Sequence, residues 1–163
     1  YKLELLMKQA NVTADDRKVV AEALAKEIST GEPAAAMELS DGTIITGKTS
    51  NLLGASSALL LNALKHFAGI EDDVLLMSPN VIEPIQNLKV QHLGNNNPRL
   101  HTDETLLALS ICAATDNNAM LAMDQISKLR GCEVHSTVIL SAVDERIFKR
   151  LGVNLTCEPK YEM

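Results

Sequence analysis

Between Ala34 and Leu64 the chain reads Ala-Ala-Ala-Met-Glu-Leu-Ser-Asp-Gly-Thr-Ile-Ile-Thr-Gly-Lys-Thr-Ser, then Asn-Leu-Leu-Gly-Ala-Ser-Ser-Ala-Leu-Leu-Leu-Asn-Ala-Leu. An Asp-Gly pair between two short apolar segments predicts a tight hairpin, because glycine enters positive φ without a Cβ clash. The segment after it, from about Gly54 to Phe67 with Gly69 as its stop, has almost no polar face. A helix of that kind must be covered on several sides, so it is expected at the centre of the fold with the strands against it. Ala55, Ala58 and Ala63 allow a neighbouring element to come close.

The flanking segments fill in the rest. A first helix is capped by Thr13 with Asp16 three positions on, and buries Val19, Val20, Ala23, Leu24, Ala25 and Ile28 before Gly31 and Pro33 end it. Val-Leu-Leu-Met between Asp73 and Ser78 reads as an interior strand. Ser78-Pro79 and Glu83-Pro84 are two helix starts, the main helix following Pro84. Thr102 caps a helix whose Leu106, Leu107, Leu109, Ile111 and Cys112 suggest deep packing. Asp116 starts another, running through Met120, Met123, Ile126 and Leu129 to Gly131. A strand over Glu133 to Leu140, a helix capped by Ser141 with Asp144 at its third position, and a last strand over Val153 to Cys157 complete the order αα-ββ-α-β-α-αα-β-α-β. Helices separate most strands and two strands form a local hairpin. The expected class is therefore α/β, a mixed sheet covered by helices on both faces. Residues 13–163 are expected to form one such domain, and residues 1–12 the end of a linker or helix from a preceding region.

Composition narrows the function classes. With 163 residues, 46% hydrophobic and 22% charged, the chain can bury a core of its own. The net charge of −6 and the lack of a dense Lys/Arg run argue against nucleic acid as a partner. Aromatic residues are only 2%, so recognition by stacking is nearly closed to it. The three cysteines, Cys112, Cys132 and Cys157, lack zinc-knuckle spacing and are expected to be reduced and mostly buried. No apolar stretch reaches the length of a bilayer span and no signal sequence is legible, so no membrane partner and a cytoplasmic location are expected.

Four places carry chemistry. Gly42-Thr-Ile-Ile-Thr-Gly47-Lys48-Thr49 has the letters of a phosphate-binding loop, but Ile44 and Ile45 form strands where a phosphate cradle needs small residues. The better reading is a strand pair ending near a helix, with Lys48 at its end, from where Lys48 and, from the helix end, Ser56 can approach one ligand pocket with the polar segment described below. Ser56 and Ser57 lie at the amino end of the central helix, where free amides can receive an anion; small residues for close packing are the structural reading. A serine nucleophile there would need a base and an orienting group. The densest polar segment is Asn95, Asn96, Asn97, Arg99, His101, Thr102, Asp103 and Glu104. Its amides Asn95 and Asn97 can orient a polar ligand, Arg99 can pair with a carboxylate or phosphate, and His101 with Asp103 or Glu104 can move a proton near neutral pH. A surface loop with helix-start acids is the structural alternative. His135 lies inside the predicted strand over Glu133 to Leu140, with Ser136 and Thr137 beside it, where its side chain either points as a ligand contact into a cleft at the sheet's end or packs structurally in the sheet. Metal binding would have to gather His66, His92, His101, His135 and distant cysteines, so no metal site is expected, and no cofactor is assigned.

Asp41 to Ser50, Leu53 to Ser57, Ile82 to Gln86, Leu93 to Glu104, Gly131 to Ser141 and Cys157 to Tyr161 together resemble the carboxy-terminal part of the bacterial UPF0371, or DUF1846, family. Members are much longer than this chain, so the resemblance implies an amino-terminal region beyond it; it implies no catalytic assignment. A looser likeness, two strands, a helix, a strand and a helix, is to the cytidine-deaminase-like fold. The His-x-Glu zinc motif of that fold is replaced here by Gly54-Ala-Ser-Ser57. Two functions follow as expectations: a domain that binds or transforms a small polar or phosphorylated, anionic metabolite, or a structural domain that supports the amino-terminal region or forms a homo-oligomer.

Overall fold

The computed structural model describes residues 17–161. The expected Thr13 cap with Asp16, and the segment 1–12, lie outside the described residues. Helix α1 (Lys18–Thr30) leads into the hairpin β1 (Ala34–Glu38) and β2 (Ile44–Lys48), then into the central helix α2 (Ala55–Ala68). Helix α3 (Pro79–Asn87) continues as a wider π turn over Leu88–His92, and α4 (Thr102–Cys112) and α5 (Asn117–Met123) follow. A 3-10 turn at Ile126–Leu129 precedes β3 (Glu133–Ser136), α6 (Ala142–Arg150) and β4 (Asn154–Cys157).

The hairpin closes as its residues dictate. Gly42 sits at φ 87°, and the Thr43 amide donates to Asp41 Oδ1 at 2.9 Å. The four strands stand in the order β2-β1-β3-β4, with β1 antiparallel to both neighbours and β3 parallel to β4. The sheet is mixed and has helices on both faces. Ala36 faces Val19, Val20 and Ala23 of α1, while Ala35, Met37 and Val134 face the larger core built on Leu59, Leu60 and Leu64 of α2 and Phe148 of α6. Strand residues two apart share a face, so the alternation of Ala34 to Met37 feeds both layers.

Gly47 explains how closely β2 and α2 meet. A Cβ placed on it would stand 2.4 Å from the Leu59 amide nitrogen and 2.9 Å from the Ala55 carbonyl oxygen. Asn62 Nδ2 donates across the same contact to the Thr46 carbonyl at 2.9 Å. Gly47 pairs with Ala35 in the sheet and the Thr49 amide donates to Pro33 O. The phosphate-loop letters are thus a strand followed by a turn, with α2 beginning only at Ala55.

Several expected boundaries differ. Asp73 to Ser78 is not a strand: the carbonyls of Asp72 and Val74 accept from Lys65 Nζ at 2.8 and 3.2 Å, Leu76 and Met77 are buried, and Leu75 is 68% exposed. The main helix starts at Pro79 and carries Pro84 inside it. His101, not Thr102, is the N-cap of α4. The strand from Glu133 stops at Ser136, where the Ser136 hydroxyl folds onto Val138 O. Ala25 and Ile28 are exposed on α1, and Leu107 and Ile111 are 65% and 72% exposed on α4. Of the cysteines, all free, only Cys132 is buried, and burial pushes all three thiols above their ordinary range.

Candidate functional site

The polar segment reaches the central helix through one short backbone pairing. Leu100 forms a parallel bridge with Leu53: its amide donates to Leu52 O at 3.0 Å, and its carbonyl accepts from Ser57 Oγ at 3.0 Å. Leu100 is fully buried, so the hydrophobic effect fixes the point at which the loop crosses the start of α2. Arg99 and His101, its neighbours, are carried there with it. Arg99 Nε donates to Ser50 O at 2.6 Å, and the Arg99 amide donates to Asn97 Oδ1 at 3.0 Å, which folds the asparagine loop back on itself.

The result is a cavity of about 240 Å³ where the amino ends of α2, α4 and α6 meet. Ser56, Asn97, Arg99 and His101 line it, together with Thr49 and Asp144. Ser56 and Thr49 are only 3% and 2% exposed, and neither hydroxyl has a hydrogen-bond partner. Buried hydroxyls are seldom left so, because each gives up its hydration without compensation.

Asp144 is the hub of the opposite wall. Its Oδ1 accepts from the Thr102 amide at 3.0 Å and from Thr102 Oγ1 at 2.7 Å, and its Oδ2 stands 3.8 Å from His101 Nδ1, an ion-pair distance. Burial pushes the Asp144 carboxyl up, but the His101 ring and the two Thr102 donors outweigh it and hold its pKa below the usual carboxylate range. The Asp144 carboxylate raises the His101 pKa above its ordinary value against the opposing effect of burial.

Other predicted residues go elsewhere. Glu104 accepts from the His101 amide at 2.8 Å and from Lys89 Nζ at 2.8 Å, and Asp103 accepts from the Glu104 amide, so both acids hold the start of α4. Lys48 and Asn95 are exposed and do not line this cavity. His135 sits in register with Ala36 and Thr156, on the face of α1 and away from α2. Its ring nitrogens lie 2.6 Å from Thr156 Oγ1 and 2.9 Å from Glu158 Oε2. Among the described residues, no group of three or more His, Cys, Asp or Glu is placed to hold a metal ion.

Comparison with known proteins fits these features into a family. Residues 15–163 match the model described as "Domain of unknown function DUF1846, C-terminal". The chain belongs to the DUF1846 family. A UPF0371 protein of Corynebacterium urealyticum is 58% identical over 160 residues, which are 98% of this chain and 32% of that protein. UPF0371 proteins of Corynebacterium glutamicum and Streptococcus thermophilus are 57% and 48% identical over 161 residues, again covering 99% of this chain and about a third of theirs. The chain therefore spans about a third of the length of these curated relatives. No helix among the described residues is long and apolar enough to cross a membrane.

From sequence, Asp144 in this DUF1846 domain is a helix-start residue only, Thr49 only the last position of the phosphate-loop letters, and Lys89 carries no expectation. Asp144 does stand at the third position of α6, with its amide donating to Ser141 Oγ at 3.2 Å. Its second task, across to Thr102 and His101, depends on where α4 packs against α6, which no local pattern encodes. Lys89 is buried and donates to Arg99 O at 2.6 Å as well as to Glu104. A lysine on a helix is normally read as solvent-facing, so nothing local marked it.

Proposed function

We propose that this domain binds a small anionic metabolite in the cavity between α2, α4 and α6, and that His101 exchanges a proton with it there. The observation that supports the reading is the meeting of three helix amino ends with Arg99 and His101 around an opening that also holds two unpartnered hydroxyls. In this reading Arg99 offsets the ligand's charge, Asn97 orients it, and Asp144 keeps His101 protonated and in place. Asp144 takes the supporting part that Asp103 or Glu104 was expected to play. A metabolite of the cytoplasm is the fitting substrate class. Deaminase-like chemistry draws no support, since residues 73–78 do not supply the strand that the likeness needs. The test is a thermal-shift screen of phosphorylated and carboxylated metabolites on the full-length protein. At least one anion is expected to raise the melting temperature, and Arg99→Ala and His101→Ala to abolish the rise. No response from any anion, or a response that both variants keep, would refute the reading.

A second reading concerns the outer face of α4, where Leu107 and Ile111 stand one turn apart and exposed. The occupant proposed for this face is the remaining two thirds of the same polypeptide, given the length of the relatives. A structural role of this kind is compatible with the cavity reading.

A further inference from the structure

The three helix ends around the cavity are not equivalent. At α4 the first turn carries Asp103 and Glu104, and the Thr102 amide is taken by Asp144; at α6 the Ser141 side chain caps the Asp144 amide. These ends are filled by the chain's own oxygens. At α2 the N-cap is Gly54, no side chain caps the helix, and the first turn holds no acid. The first intrahelical bond runs from the Ala58 amide to Gly54 O, so the amides of Ala55, Ser56 and Ser57 have no acceptor within the helix.

A second observation lies at the same place. Ser56 Oγ and Thr49 Oγ1 are buried, line the cavity and have no partner, although each hydroxyl can donate one hydrogen bond. Three amides at a helix start and two hydroxyls make more donors than the two oxygens of a carboxylate, with about four lone-pair sites, can use. They suit a group with three terminal oxygens and two negative charges.

Resting on the reading that the cavity takes an anion, we infer that the amino end of α2 is a phosphoryl seat. The ligand is a phosphate monoester whose terminal oxygens accept from the Ser56 and Ser57 amides and from the Ser56 and Thr49 hydroxyls. The asymmetry gives the ligand a direction: the phosphoryl group lies toward α2, and the rest of the molecule toward His101 and the acid-filled ends of α4 and α6.

The experiment uses the full-length protein with inorganic phosphate as probe and acetate as control at equal ionic strength. Calorimetry is expected to show phosphate binding, weakened at least about tenfold by Ser56→Ala with Thr49→Val, since the double variant removes two hydrogen bonds to a charged group. Acetate is expected to bind much more weakly. Hydrogen exchange by mass spectrometry on the unsubstituted protein gives a readout that needs no variant: phosphate should slow exchange at the amides of Ala55 to Ser57. Acetate that binds as tightly as phosphate would overturn the phosphoryl preference and leave the anion reading in place. Phosphate binding that depends on Arg99, but ignores the two hydroxyls and leaves the α2 amides unprotected, would overturn the seat alone. An absence of any anion effect would remove both.

Discussion

Gly47 shows how one residue sets the distance between two layers. Its missing side chain lets the α2 backbone at Leu59 approach the sheet more closely than any Cβ allows. Both opposing atoms are backbone, so relief requires the helix to move away from β2. Gly47→Ala is therefore expected to cost about 3 kcal/mol, the upper end for overpacking, read as a lower denaturant midpoint at unchanged slope. An unchanged midpoint would show that the close contact is not maintained. His101 and Asp144 give a second prediction at this scale. The His101 pKa is raised on folding, so its stabilisation is complete below the unfolded value of about 6.5 and fades as pH rises through the higher folded value. The Asp144 pKa is lowered, so its contribution is present above about 3.9 and fades as pH falls through the lower folded value. Between these limits the pair is charged and its contribution to stability is constant. His101→Asn should remove the decline on the alkaline side of neutrality and also weaken the acid limb, which then rests on the two Thr102 donors alone, as followed by melts across pH. A variant that keeps the alkaline decline would locate its cause elsewhere.

At the scale of elements, the loop from Asn95 to Arg99 is held by a lysine rather than by a strand. Lys89 donates to Arg99 O and to Glu104, linking the π turn after α3, the loop and the start of α4. Removing one partner of a buried ion pair leaves the other uncompensated, at a cost of about 3–5 kcal/mol; Glu104 is partly solvated, which places Lys89→Met near the lower figure. The same variant should speed hydrogen exchange at Leu100 and Thr102 before it does so in β1, and equal effects in both would argue against a local clamp. The hairpin, the central helix and the α6 cap were legible because their residues act locally: Asp41-Gly42 turns, an apolar run buries itself, Ser141 caps. The segment 73–78 was misread as a strand because an apolar run shows only that it is buried. Here Leu76 and Met77 pack into the core while Lys65, seven and nine residues back, takes the carbonyls that a neighbouring strand would have taken. The site was half legible for the same reason. Asn97, Arg99 and His101 cluster in sequence, whereas Thr49 and Asp144 reach them only through the fold.

At the scale of the molecule, the apolar run of α4 is divided between two surroundings. Ala108 and Leu109 pack into the core, while Leu107 and Ile111 point away from it. Left in water, two large side chains one turn apart gain nothing; covered, each contributes about 1.5–3 kcal/mol. The relatives are about three times the length of this chain, so a covering surface within the same polypeptide is available. Leu107→Glu with Ile111→Glu separates the cases. If the face is open in the full-length protein, surface changes of this kind stay within about 0.5 kcal/mol each. If the rest of the polypeptide covers it, the double variant should lower stability by several times that amount, and hydrogen exchange should quicken along α4 and on the surface it touches. Were the cover a second copy instead, the melting temperature of the unsubstituted protein would rise with its concentration and that of the double variant would not. The cavity lies at the opposite, amino-terminal end of α4, so a docked region can strip water from the outer face of that helix without occluding the Ser56 seat. Phosphate affinity is accordingly expected to survive the double substitution within about threefold, less than the tenfold that about 1.4 kcal/mol would give.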